Sequence, residues 1–274
     1  MDRINSTNNL RFTSKINPVK PYQLMTKSGR LNISELDIDK PFNHDEIFEI
    51  VKLFCDNISE SIKTKAWQRY KNGDENYKKR FVYNYGKNLV KSMRDPEIKD
   101  TLTVLLAKDE NGVLKGAAYS SACTNIPNAK STTLYFHSIS IKPEMRHQGL
   151  AQDFTNTMLD INRNTFTDAF ATCTYMSKPM VEKCGFKALD PSNPNEKAIM
   201  DYLKRTRVDY PTDVTAMHMA LQPEKPRWSE SAAKGIQKWK RERPFVIMKK
   251  SIPYAIKYIK HYSKKLKNIF TADK

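Results

Sequence analysis

The apolar positions of this chain change period several times, and each change predicts an element. ISELDID (33–39) alternates apolar and polar residues and predicts a strand. Ile47, Ile50, Val51, Phe54 and Ile58 then recur at helical spacing, and Asn43 with Glu46 three residues on is the pairing of a helix N-terminal cap. A second helix is predicted from about 76 to 93, where Phe81, Tyr85, Leu89 and Met93 step by four; Asp95-Pro96 ends it. TLTVLLAKDENGVLKGAAYSSAC (101–123) is two apolar runs around a polar turn at Asp109–Gly112, a β-hairpin. TTLYFHSISI (132–141) is apolar on both faces and predicts a central strand. Leu150, Phe154, Met158 and Ile161 mark a helix face, DAFATCTYM (168–176) a strand, SKPMVEKCGF (177–186) a short helix ending at Gly185, residues 195–207 an amphipathic helix and VTAMHMAL (214–221) a last strand. Strands and helices mixed in this order predict an α/β (α+β) domain, and no internal repeat interrupts it.

The ends of the chain read differently. Residues 1–30 are polar and aperiodic and predict a poorly ordered lead, leaving 31–222 as the domain. LQPEKPRW (221–228), with two prolines, reads as a linker, and 223–274 as a basic helical extension. Within it Ile252, Ile256, Ile259, Leu266 and Phe270 share a face of an amphipathic helix over 251–270.

Charge sharpens the division. The net charge is +17, and residues 224–274 hold 15 Lys and Arg against 4 Asp and Glu, so the rest of the chain carries only +6. Such a tail suits an anionic membrane surface or a nucleic acid, and its interleaved tyrosines suit either; a helix packed on the domain with its lysines in water explains it equally. The four cysteines are widely spaced, which argues against zinc and for a reducing, cytoplasmic setting. The N-terminus lacks the apolar core of a secretory signal, and no run of about 18 apolar residues predicts a transmembrane helix.

The chemistry concentrates after the central strand. Arg146-His147-Gln148-Gly149-Leu150-Ala151 follows a strand and opens a helix, where free N–H groups and the helix dipole favour an anion. Gly149 permits a close approach or an unusual φ, and an ordinary strand–helix connection would use a glycine too. The Walker and Rossmann glycine patterns are absent. The stretch resembles instead the R/Q-x-x-G-x-G/A signature of the GCN5-related N-acetyltransferases (the GNAT superfamily), through Arg146, Gly149 and Ala151. Val181-Glu182-Lys183-Cys184-Gly185-Phe186 resembles that family's later short helix and G-F segment, and the element order follows its plan from about 33 to 221, with an insertion near 190–210.

The resemblance implies a mixed, mostly antiparallel central sheet flanked by helices, and an acetyl-CoA-dependent N-acetyltransferase in which an amine attacks the thioester directly in a ternary complex. It implies that the family's fourth and fifth strands splay apart and that the pantetheine arm pairs with the backbone of Ile139, Ser140 and Ile141. It implies a pyrophosphate held by backbone N–H groups from His147 to Gln152, including Gln148, Leu150 and Ala151, with Arg146 adding charge. A strand-four histidine acts as base in one branch of the family, which points to His137; an ordinary imidazole pKa near 6.5 suits that work, and a core histidine bonded to a carbonyl is the alternative. Tyr135, two residues earlier, can relay the proton through water. The family's tyrosine acid is Val181 here, so Tyr175 or Ser177 substitutes, or the thiolate leaves unassisted. Cys184 reads as a core thiol rather than a nucleophile, and His218 as structural. The aromatic and basic run 70–87 falls where acceptor-side helices lie in the family. The acceptor, a small-molecule or protein amine, is not legible. A competing expectation is a catalytically weak binding module that engages RNA, DNA or an anionic membrane through its tail.

Overall fold

The computed structural model describes residues 19–222 except 42, 97, 208 and 211, and residues 228–243. Eight strands form one sheet: β1 (Tyr22–Thr26), β2 (Gly29–Glu35), β3 (Thr103–Lys108), β4 (Leu114–Ala122), β5 (Thr133–Ile141), β6 (Asp168–Thr174), β7 (Lys187–Ala188) and β8 (Val214–Ala220). Their spatial order is β1-β2-β3-β4-β5-β6-β8-β7. Every pairing is antiparallel except β5 with β6. That parallel pair is joined across α4 (Leu150–Asn162), since parallel strands need a crossover. The other helices are α1 (His44–Ser61), α2 (Lys65–Asn72), α3 (Glu75–Met93), α5 (Lys178–Lys183), α6 (Pro194–Thr206) and α7 (228–243).

The helices cover both faces, which explains the continuous apolar runs. In β3, Leu105 and Ala107 join the core that holds Leu150, Phe154 and Met158 of α4. Val104 and Leu106 point the other way, to Ile50, Phe54 and Leu89 of α1 and α3. Burial on both faces removes the polar alternation of a half-exposed strand. The Asn43 cap forms through Oδ1 and the Asp45 N–H, 3.0 Å apart. Glu46 turns away from its capping role to pair with Lys108 across to β3, at 2.6 Å.

Three expectations need correction. The polar lead does not extend to residue 30: Tyr22–Thr26 pairs with β2, and Tyr22 Oη donates to Asp153 of α4 at 2.5 Å. Its apolar residues are too few for a period, and it is tertiary pairing that makes them a strand. Helix α2 is additional, a short element whose signal is buried in a charged run. The body also continues past 222. Helix α7 packs Trp228, Ala232 and Ile236 into a core with Phe170, Ala216, Ile199 and Leu203. Gly235 lies so close to the 127–128 turn that a Cβ would sit 2.8 Å from the Pro127 carbonyl. The amphipathic helix expected over 251–270, and the lead before 19, lie outside the described residues. Among the described residues no helix is long and apolar enough to cross a membrane, and no His, Cys, Asp and Glu group could hold a metal.

Candidate active site

The site begins where the parallel pair comes apart. β5 and β6 pair only from Thr133 with Asp168 to Phe136 with Ala171. Beyond that rung, among the described residues, β5 runs on to Ile141 with β4 as its one strand partner and β6 to Thr174 with β8, and Arg146 Nε donates to the Ile141 carbonyl at 3.3 Å. The two strands therefore present facing, unpaired edges, Ile139, Ser140 and Ile141 lying on one of them.

A β-bulge sets the side chains at the fork. Tyr119 pairs with Ser138 and Ser120 with Phe136, so His137 is the extra residue on β5. A bulge shifts the alternation by one. Leu134 and Phe136 face the α4 core before it, and Ile139 and Ile141 face the same core after it. His137 is left on the opposite face, where its Nε2 lies 2.7 Å from Ser121 Oγ. Its ring stacks on Tyr119 at 4.7 Å and meets Tyr135 edge-on at 4.6 Å.

A cavity of about 800 Å³ follows the fork and reaches the loop before α4. In that loop His147 has φ 61° and Gly149, the N-cap of α4, has φ 87°. Both lie in the left-handed region, which costs a histidine of order 1–3 kcal/mol and a glycine little. Two such residues flanking Gln148 turn successive amides toward one side, the form of an anion-binding nest. The N–H groups from His147 to Gln152 donate to no group among the described residues. Among the described residues, its chain neighbours aside, no atom lies within 4 Å of where a Gly149 Cβ would project, so the glycine answers to its φ, not to crowding. Gln148 fastens the loop: its amide accepts from Ser28 N at 3.0 Å and donates to Ser28 Oγ at 2.7 Å, tying in the β1–β2 turn.

The parallel fork of β5 and β6, the bulge at its mouth and the glycine nest at the end of β5 together form one arrangement. A mixed, mostly antiparallel sheet flanked by helices, forked between its parallel strands, is the arrangement that the resemblance to the GCN5-related N-acetyltransferases implies. No family model and no curated protein matches the chain. Among solved structures, a Clostridium acetobutylicum protein described as a predicted acetyltransferase, with acetyl-CoA, is 17% identical, covering 58% of this chain and 92% of that one, at a TM-score of 0.41. The PaiA N-acetyltransferase of Thermoplasma acidophilum, with coenzyme A, is 13% identical over 69% of this chain and 98% of its own, at 0.40. N-acetylglutamate synthase of Neisseria gonorrhoeae, with coenzyme A and N-acetyl-glutamate, is 12% identical over 70% of this chain and 35% of its own, at 0.43. At such distance these likenesses carry no weight, and the fold class rests on this chain's own strand order.

The expected site residues separate within this frame. His137, Ile139, Ser140, Ile141, Arg146, His147, Gly149, Leu150, Ala151 and Gln152 line the cavity, whereas the Gln148 side chain turns away to Ser28 and does not. Tyr135 lies behind His137 instead, its hydroxyl 3.0 Å from Thr172 Oγ1. Tyr175 is 67% exposed and does not line the cavity, whereas Ser177 does; the alternation of β6 carries Tyr175 out where the strand ends. The Arg146 side chain turns to α1, pairing with Glu60 at 2.8 Å and donating to Asn57 Oδ1 at 3.1 Å, so its charge is already neutralised. Cys184 is buried beside Met180, and His218 bonds Asp168 at 2.9 Å while stacked on Trp228, both structural settings.

Several lining residues have no signal in the sequence. Arg207 and Asp209 come from the irregular segment after α6, and Trp67 from the additional helix α2. Tyr85 lies in the aromatic run 70–87 already marked as acceptor-side, and it too lines the cavity.

The histidine is not an ordinary one. Burial, and then the positive charge of Arg207, lower the His137 pKa to about 4. The expected value near 6.5 is therefore corrected, and the imidazole is neutral throughout the physiological range. This has a consequence for stability. The unfolded chain binds a proton at this residue below about 6.5 and the folded chain does not until about 4, so the folded state loses ground as pH falls through that window. Wild type is expected to lose about 2–3 kcal/mol more than His137→Gln between pH 7 and pH 4.5 in urea unfolding. Equal losses in the two proteins would show that the residue is not held neutral.

Proposed function

We propose that the protein transfers the acetyl group of acetyl-CoA to an amine acceptor. The observation that carries this reading is the continuity of the free β5 edge with a nest of unused N–H groups. A pantetheine arm is an extended chain with two amides, and an unpaired strand edge recognises such a chain by backbone hydrogen bonds. Ile139, Ser140 and Ile141 supply that edge. A pyrophosphate is a compact dianion, and the amides from His147 to Gln152 supply donors for it at the positive end of α4. The cavity joins both, and its open ground at Gly149 leaves room for the phosphates.

Acetyl transfer forms a C–N bond, breaks the C–S bond and releases coenzyme A as its thiol. The β5 backbone at the fork offers N–H groups to the carbonyl oxygen as charge builds there. His137, at the same point and uncharged, accepts the proton that the amine must lose, with the Tyr135 ring packed edge-on behind it. Ser177 is the hydroxyl on the thiolate side of the cavity. A neutral imidazole is always ready as acceptor, and its low basicity places its contribution at the lower end for general bases.

The direct test is thiol release from acetyl-CoA across a panel of primary amines. Amine-dependent release supports the reading, and His137→Ala should lower it by about 100-fold with acetyl-CoA affinity retained. Absence of saturable acetyl-CoA binding by the wild-type chain in calorimetry would sink it.

A further inference from the structure

Arg207 stands at the fork. It leaves the C-terminal end of α6 and crosses the face that carries Tyr135 and His137. Its Nη1 donates to Tyr135 Oη of β5 at 3.0 Å and to Thr172 Oγ1 of β6 at 2.9 Å. Its Nε and Nη2 hold the two carboxylate oxygens of Asp209, at 2.9 and 2.7 Å. Thr172 is the first β6 residue past the last paired rung. The guanidinium therefore ties the two strands together at the point where their backbones stop doing so. Its side chain remains 29% exposed, toward the cavity it lines.

We propose, building on the acetyltransferase reading, that Arg207 is a positioning residue for the reaction: it clasps β5 and β6 at the base of the fork and holds a positive charge against the imidazole of His137. The clasp decides where the strands diverge, and so where an acyl group lying in the fork meets the bulge. Burial keeps the imidazole a free proton acceptor, and the charge adds to that effect. Only an arginine fits the place, because the two strand hydroxyls and a bidentate carboxylate need donors in a planar fork. The polar groups that touch His137 carry no charge. Tyr119 and Ser121 come from β4, Tyr135 from β5, and Tyr85 of α3 bonds Tyr119. From α1 come Asn57 and Ser61, both uncharged. Among the described residues Asp209 is the one carboxylate lining the cavity, and it is held by Arg207 itself.

The test uses the full chain and two readouts, the NMR titration of the His137 imidazole and the calorimetric affinity for acetyl-CoA. In Arg207→Met the imidazole is expected to titrate about one pH unit or more higher, with weaker acetyl-CoA binding. Arg207→Lys keeps the charge but cannot hold three partners, so the titration stays low while affinity still falls. Should Arg207→Met not fold, the paired change Arg207→Gln with Asp209→Asn leaves no lone buried charge and is read the same way. A His137 titration unmoved in the charge-removing variant overturns the inference and leaves the acetyltransferase reading standing. Failure of wild type to bind acetyl-CoA removes that reading, whatever the titration shows.

Discussion

Gly149→Trp is expected to abolish measurable acetyl-CoA binding while leaving the protein folded. At φ 87° any side chain incurs left-handed strain, roughly 1–2 kcal/mol for an L-residue. That strain is a fraction of an ordinary domain's stability. The indole would meet no protein atom near its Cβ, because nothing lies within 4 Å there. It would instead occupy the space in front of the amides from His147 to Gln152, where the proposed pyrophosphate lies. Calorimetry should therefore show heats of dilution only, with a melting temperature within a few degrees of wild type. Binding at wild-type affinity would mean that the nest is not the phosphate site. Unfolding would mean that the space in front of the loop is less open than its geometry indicates.

Trp228→Ala is expected to cost about 3–5 kcal/mol of unfolding free energy, the usual loss for a fully buried aromatic. Trp228 is 1% exposed and packs on Phe170 at 5.2 Å and His218 at 5.1 Å. It also heads a helix whose Gly235 touches the 127–128 backbone, so Gly235→Val should loosen the same helix by a different route. The effect reaches the site. Phe170 stacks on Tyr135 at 5.8 Å, and Tyr135 meets His137 at 4.6 Å, a continuous run of rings from α7 to the fork. Chemical denaturation with the slope held constant measures the loss, and thiol release at a temperature where the variant remains folded measures the second effect. A loss under about 1 kcal/mol would mean that α7 is an appendage and that 222 is the true boundary of the folded body.

How much of this was legible in the sequence follows from the range of the forces involved. Local period and turn chemistry determined most elements: the 101–123 hairpin, the double-faced strand ending at Ile141, and the helix opened at Gly149 each depend on residues within a dozen positions of one another. The turn at Gly149 was legible for the same reason, since a left-handed glycine between a strand and a helix is a local demand, whereas the positive φ of His147 was not. Where the charge of Arg146 goes was not. The sequence placed it beside the loop, and tertiary packing turned it to Glu60, a residue of another element. The bulge at His137 is likewise a property of two strands in register, and one strand alone cannot announce it. Nor can a sequence weigh burial: an imidazole expected near 6.5 lies near 4 because the fold removes water and brings Arg207 to it. Arg207, Asp209 and Trp228 belong to irregular or linker-like stretches whose partners lie far along the chain. Their places were decided only when the sheet closed beneath them, because long-range packing and ion pairing leave no period in the residues that make them.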